Sequence, residues 1–280
     1  MVDLTEVTTI LVPLDGSAFS QHAIPTAVGL AERLDADIVL LSAVPTEDDA
    51  PAREAELDAT PVPWPRVERM VVMDKDVAGA IHQALRDRPG SVACMASHGR
   101  GRTAALVGSV ATEVIVRGHD PLVLVGPMVD EPPRGSGVLA CVDETPQSVV
   151  VAEVGLAWAE LLLDEPLTVI VVAEPVPPPT RGPARRLFGP DGDPEVYLDS
   201  VIAQLPASGP ASAGKVKAEV VYDPIGPADG VVSYVEEHPT DLVVVRSHAR
   251  TGVRRLTMGS VAAAIVHSNP APVLVIPASD

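Results

Sequence analysis

Cysteine is almost absent, with two in 280 residues. That is too few for a disulfide framework, and no metal-ligand spacing is present. Cys94 and Cys141 both sit inside short apolar runs and read as small buried hydrophobes. Aromatics are scarce at 2%, so the core must be aliphatic and few rings exist to stack unpaired bases. Trp64 and Trp158 accordingly read as packing residues. Positive charge is in short supply: 20 basic residues face 38 acidic ones, a formal net charge of −18. This argues against nucleic acid or an anionic membrane as partner. No stretch approaches the roughly 18 apolar residues that span a bilayer. The start, Met1-Val2-Asp3-Leu4-Thr5-Glu6, is acidic where a signal peptide would be basic. A cytoplasmic protein is expected.

What is abundant is aliphatic material, with 46% hydrophobic residues, and it is arranged twice. Ile10-Leu11-Val12-Pro13-Leu14-Asp15-Gly16-Ser17 returns in outline as Val138-Leu139-Ala140-Cys141-Val142-Asp143-Glu144-Thr145. Ser91 to His98 returns as Asp241 to His248, and Gly108-Ser109-Val110-Ala111 as Gly259-Ser260-Val261-Ala262. Each half ends on an apolar strand and a proline, Leu122–Val125 before Pro127 and Val273–Ile276 before Pro277. Four ordered matches indicate a tandem duplication. The Pro- and Gly-rich stretch 129–137 reads as a linker between a first domain, 1–128, and a second, 138–280. A proline-rich insertion at about 175–214 enlarges the second copy, with a short helix expected inside it. Its shorter equivalent in the first copy is Pro45 to Pro65, read as a loop.

Short β-branched runs without polar alternation (Thr9–Val12, Ile38–Leu41, Val67–Val72, Val92–Met95, Leu122–Val125) suggest strands buried on both faces. Helical stretches lie between them at Ala18–Leu34, Val77–Arg88 and Gly108–Arg117. The order implies an α/β fold, two repeated domains of Rossmann-like type, each a five-stranded parallel sheet with helices on both faces. Each final strand would leave an unpaired edge, so the halves are expected to pair last strand to last strand as an intramolecular pseudo-dimer. Whether the whole chain also forms a homodimer is left open.

In such a sheet the ligand crevice lies beyond the C-terminal strand ends. The residues found there are Asp15, Ala43 and the run Ala96 to Ser109. Glycines in that run let backbone N–H groups approach phosphate, and Gly108-Ser109 opens a helix whose N-terminus favours anions. Windows 96–109 and 246–260 hold six arginines and no acid. Arginine suits a bidentate grip on phosphate. A solvated arginine-rich loop is the alternative.

Taken together, Leu11-Val12-Pro13-Leu14-Asp15-Gly16-Ser17, Cys94 to Gly101, Gly108-Ser109-Val110 and the terminal Pro272 to Pro277 resemble the universal stress protein family in its tandem form. ATP-binding members carry Gly-x2-Gly-x9-Gly-Ser/Thr. The resemblance implies contacts to adenine nucleotide, with Mg accompanying it, from Asp15, Ala43, Gly99, Gly108 and Ser109, and from Asp143, Gly259 and Ser260. Flanking positions join the candidate set: Pro13, Leu14, Ala96, Ser97, His98, Arg100 and Val110, then Arg246, Ser247 and Val261. Both copies depart from the pattern. Ala96 replaces the first glycine and eight residues separate Gly99 from Gly108. In the second copy Arg246 and Ala249 replace both leading glycines. Hence the first half is expected to bind nucleotide more tightly. The second, with Arg246, Arg250, Arg254 and Arg255, is expected to favour an anion. No second base or metal pattern accompanies His98 or His248, which read as structural or ligand-lining. Three functions remain in play: a nucleotide-binding stress regulator without an enzymatic product, an interaction module with closed pockets, and at most a slow ATPase.

Overall fold

The computed structural model describes residues 6–98, 107–118, 120–163, 165–173, 192–206, 216–247 and 258–278. The first half runs β1 (Thr9–Pro13), α1 (Ala18–Gln21), α2 (Ile24–Leu34), β2 (Asp37–Val44), α3 (Ala50–Ala59), β3 (Val67–Met73), α4 (Val77–Arg86), β4 (Ser91–Ala96), α5 (Ser109–Arg117) and β5 (Leu122–Val125). The second runs β6 (Val138–Val142), α6 (Ser148–Leu161), β7 (Leu167–Ala173), α7 (Pro194–Ile202), β8 (Val216–Tyr222), α8 (Pro227–Glu237), β9 (Leu242–Arg246), α9 (Ser260–Ser268) and β10 (Val273–Ile276). Of the proline-rich insertion, only residues 192–206, which include α7, are described.

All ten strands form one sheet, ordered β3-β2-β1-β4-β5-β10-β9-β6-β7-β8. Within each half every pairing is parallel. The halves join where β5 and β10 run antiparallel, with Val273 opposite Leu124 and Val275 opposite Leu122. This is the last-strand-to-last-strand pairing expected from the repeat. Both strands are buried along their whole length, each Val or Leu contributing about 1.5–3 kcal/mol by leaving water. Helices cover both faces, and two aliphatic clusters fill the space beneath them. Trp158 is fully buried in one of them, a packing residue as read.

Two local expectations need correction. The helix expected over 18–34 is broken into α1 and α2, because Pro25 can occupy only the first turn of a helix. The stretch Pro45 to Pro65 holds α3, which starts at Ala50 with Pro51 in its first turn and buries Leu57. Its weak amphipathicity hid it in the sequence.

Two side chains add to the strand pairing, one tying the 129–137 segment to the second half and one joining the halves. Asp241, only 4% exposed, accepts hydrogen bonds from the backbone N–H groups of Arg134, Gly135 and Ser136 at 2.7, 2.5 and 2.8 Å. It thereby pins the segment leading into β6. Arg33 at the end of α2 pairs with Glu165 and donates to the Leu162 carbonyl at 2.6 Å.

Candidate functional site

Because every parallel strand in a half points the same way, the ends of β1, β2 and β4 meet the start of α5 around one space. In the first half that space is a cavity of about 480 Å³. Pro13, Leu14 and Asp15 line it from β1, and Ala43 from β2. Ala96, Ser97 and His98 enter from β4, and Gly108, Ser109 and Val110 from the head of α5. The expected set is thus brought together, apart from Gly99 and Arg100, which lie outside the described residues. The counterpart in the second half is a cavity of about 460 Å³ lined by Asp143, Arg246, Gly259, Ser260 and Val261. Ser247 does not line it. It is buried, and its N–H bonds the Ile276 carbonyl at 2.8 Å. Ala249, Arg250, Arg254 and Arg255, together with His248, fall outside the described residues.

The aspartate of each half is held by the same hook. The Ser17 N–H and Oγ reach Asp15 Oδ1 at 2.9 and 2.5 Å. The Thr145 N–H and Oγ1 reach Asp143 Oδ1 at 2.9 and 2.6 Å. Behind them Ser20 and Ser148, both buried, accept from the aspartate N–H groups at 3.3 and 3.1 Å. These serines escaped the sequence reading, although their shared spacing of five residues after the aspartate was a usable signal. Such hooks fix the direction of each carboxylate before any ligand arrives.

The helix heads are also alike. Gly108 and Gly259 sit at the N-caps of α5 and α9, and neither helix has a side-chain cap. Among the described residues their first-turn N–H groups thus have no capping side chain, and these helix starts line the cavities, an arrangement that suits an anion. Gly108 is tied to β4 by its N–H on the Ser97 carbonyl at 2.7 Å.

The linings differ. Strand register puts Val172 where the first cavity has Ala43, and Arg246 where it has Ala96. Gly16 adopts φ 80°, a conformation open to glycine. Glu144 stands in its place in the second half and adds a carboxylate to the lining. Tyr197 of α7 donates its hydroxyl to the Asp143 carbonyl, and burial raises the pKa of that hydroxyl, keeping it a donor. Cys141 borders the second cavity. Burial pushes up the pKa of its thiol and of Cys94 alike, so neither is a nucleophile at neutral pH. Among the described residues no group of three His, Cys, Asp or Glu could hold a metal ion. None of their helices is long and apolar enough to cross a membrane.

A sequence model of the universal stress protein family matches residues 6–126 and again 137–277. The chain belongs to the universal stress protein family. Solved structures agree on the fold. A candidate universal stress protein from Pseudomonas aeruginosa is similar over 98% of this chain and 94% of its own, with 16% identity and a TM-score of 0.62. A universal stress protein from Archaeoglobus fulgidus covers 96% and 98%, with 16% identity and a TM-score of 0.60. A universal stress protein in complex with cAMP is similar over 51% of this chain and 98% of its own, with 18% identity and a TM-score of 0.39. No curated protein matches by sequence.

Proposed function

We propose that this universal stress protein is a cytoplasmic nucleotide-binding regulator whose domains, 1–128 and 138–280, are joined by the linker 129–137. Its first cavity takes ATP and its second is a degenerate anion site. The observation that carries the reading is the convergence of an oriented carboxylate and an uncapped helix head on one cavity of about 480 Å³. That size suits a nucleoside. Asp15, steadied by Ser17, would accept from the ribose or the adenine amine. The apolar walls of Leu41, Ile81 and Met95 would flank the base, and the first-turn N–H groups of α5 would meet phosphate. A bound nucleotide would bring Mg on its own phosphates, which Mg favours over an all-protein cage. The output is a conformation or partner choice, with ATP hydrolysis slow at most, since no residue stands out to position a water.

In the second cavity Val172 and Arg246 take the place of smaller side chains, which favours a phosphate-sized ligand gripped by arginine over a nucleoside. The decisive experiment is to heat-release and identify any small molecule carried by the purified full chain, and to titrate the stripped protein with ATP. Adenine nucleotide recovered, or saturable ATP binding lost in Asp15→Ala, is the expected outcome. Absence of both favours the alternative, an interaction module with closed pockets.

A further inference from the structure

One helix lines the second cavity at its head and ends against a residue that lines the first. At its head, Ser260, Val261 and Ala262 of α9 line the second cavity. The helix has nine residues, or about 13 Å of axis, and its last turn reaches the first half. There the Val266 carbonyl lies 1.9 Å from the place a Cβ on Gly126 would occupy, so only glycine admits the approach. Gly126 directly follows β5, whose Val125 carbonyl accepts the Ser97 N–H at 2.8 Å. The end of α9 is therefore seated against the strand exit that carries Ser97 and His98. On this seat the ring of His267 meets that of His98 edge-on, with centroids 5.9 Å apart and planes at 64°. His98 lines the first cavity, with Nδ1 2.9 Å from the buried Ser97 Oγ. The Nδ1 of His267 is buried without a hydrogen-bond partner among the described residues.

The contact has no mirror image. The repeat puts Val116 at the position of His267 and Pro277 at that of Gly126. The residue after Val116, Arg117, pairs inside its own half with Asp76 at 2.6 Å and with Glu113.

We propose that His267 is a positioning residue for the first cavity. Supplied by the second half, its ring holds the His98 imidazole at the cavity wall, so that ligand affinity in the first half depends on the second. As applied to ATP, the inference rests on the nucleotide reading above. A T-shaped ring pair restricts the orientation of the imidazole it touches. Without it, the His98 imidazole loses the ring contact that fixes its tilt at the cavity wall, where a ligand would meet it.

The test uses the full chain. His267→Val installs the residue that α5 carries, and His267→Phe keeps a ring. ATP is titrated while the His98 imidazole NMR signal, assigned with His98→Asn, reports the first cavity alone. His267→Val should move the ligand-free His98 signal and weaken ATP binding about three- to tenfold, the span expected for one ring pair. His267→Phe should restore most of both. An unchanged His98 signal and affinity in His267→Val would overturn the proposal, as would a loss that His267→Phe does not repair. If the wild type binds no ATP, the nucleotide reading fails by itself, and the ligand-free His98 signal still decides whether His267 positions it.

Discussion

The two cavities share a backbone and differ in what fills it. Each has a strand-end aspartate hooked by a hydroxyl residue two positions on, a buried serine behind it and a Gly-Ser helix head. Their volumes are nearly equal, about 480 and 460 Å³. Yet Ala43 and Ala96 in one correspond to Val172 and Arg246 in the other, and Glu144 in the second lining stands where the first half has Gly16, outside the first lining. Parts that the sheet and its crossovers require have stayed alike, because changing them costs packing or backbone hydrogen bonds. Parts that only a ligand would feel have diverged.

Duplication has also been made asymmetric outside the cavities, and that asymmetry gives the largest expected effect. Asp241 holds three backbone N–H groups of the segment before β6, while its counterpart Ser91 makes one side-chain bond, to the Leu85 carbonyl at 3.2 Å. Asp241→Ser should destabilise the protein by about 3 kcal/mol, since buried hydrogen bonds to a charged group are lost. Ser91→Ala should cost about 1 kcal/mol or less. Denaturant midpoints of the two variants check the contrast, and equal midpoints would break it.

Next comes the ranking of the cavities. An acid at a helix head repels phosphate and adds bulk. Gly108→Asp should therefore weaken ATP binding by about tenfold or more, on the scale where 1.4 kcal/mol is a factor of ten. Gly259→Asp should change it little. Calorimetry on both variants decides; equal losses, or a loss from Gly259→Asp alone, would reverse the ranking.

A smaller effect separates a ligand from a plug. With Arg246 gripping an anion, Arg246→Ala should reduce phosphate protection of the melting temperature about threefold in apparent affinity at low salt. At high salt the difference should shrink, because exposed charge pairs are screened. If Arg246→Ala instead improves ATP binding, Arg246 blocks the pocket and the second cavity is no anion site.

How far the sequence could go is visible in the same residues. Runs such as Leu122–Val125 and Val273–Ile276 announced buried strands, and their repetition announced the β5–β10 seam, because strand burial is written in consecutive residues. α3 was hidden by the prolines around it and by a helix face with little contrast. Asp15 and the Gly108-Ser109 head were legible as strand-end features, and Ser20 and Ser148 were recoverable from the repeat. In the sequence Asp241 only opens the repeated segment that matches Ser91 to His98; nothing local shows that it accepts three N–H groups from a segment over a hundred residues earlier. The His98–His267 contact is out of reach for the same reason, since it depends on where α9 ends against Gly126. Sequence periodicity reports local geometry, whereas such contacts arise only when segments distant in the chain are packed together.

The smallest expected effect is also an asymmetry between the halves. His82 of α4 is partly buried beneath α5, and burial lowers its pKa from the ordinary 6.5, outweighing the nearby Val114 carbonyl, which acts in the opposite sense by favouring the protonated ring. In the second half, Val232 stands at the matching position of α8. A histidine with a depressed folded pKa is held neutral by the fold, and the unfolded chain binds its proton first. The stability it permits is present above about pH 6.5, its unfolded value, and is lost as pH falls through the folded value. The melting temperature should decline as pH is lowered from 7.5 towards 5. His82→Gln, which cannot take up the proton, should flatten the part of that decline just below pH 6.5 while leaving the acid limb set by the carboxylates. Because the group is partly solvated, the flattening should be modest compared with the loss in Asp241→Ser. Melting curves for wild type and His82→Gln across that range measure it. Two curves that stay parallel would show that His82 does not supply the first half with an acid sensitivity that the second lacks.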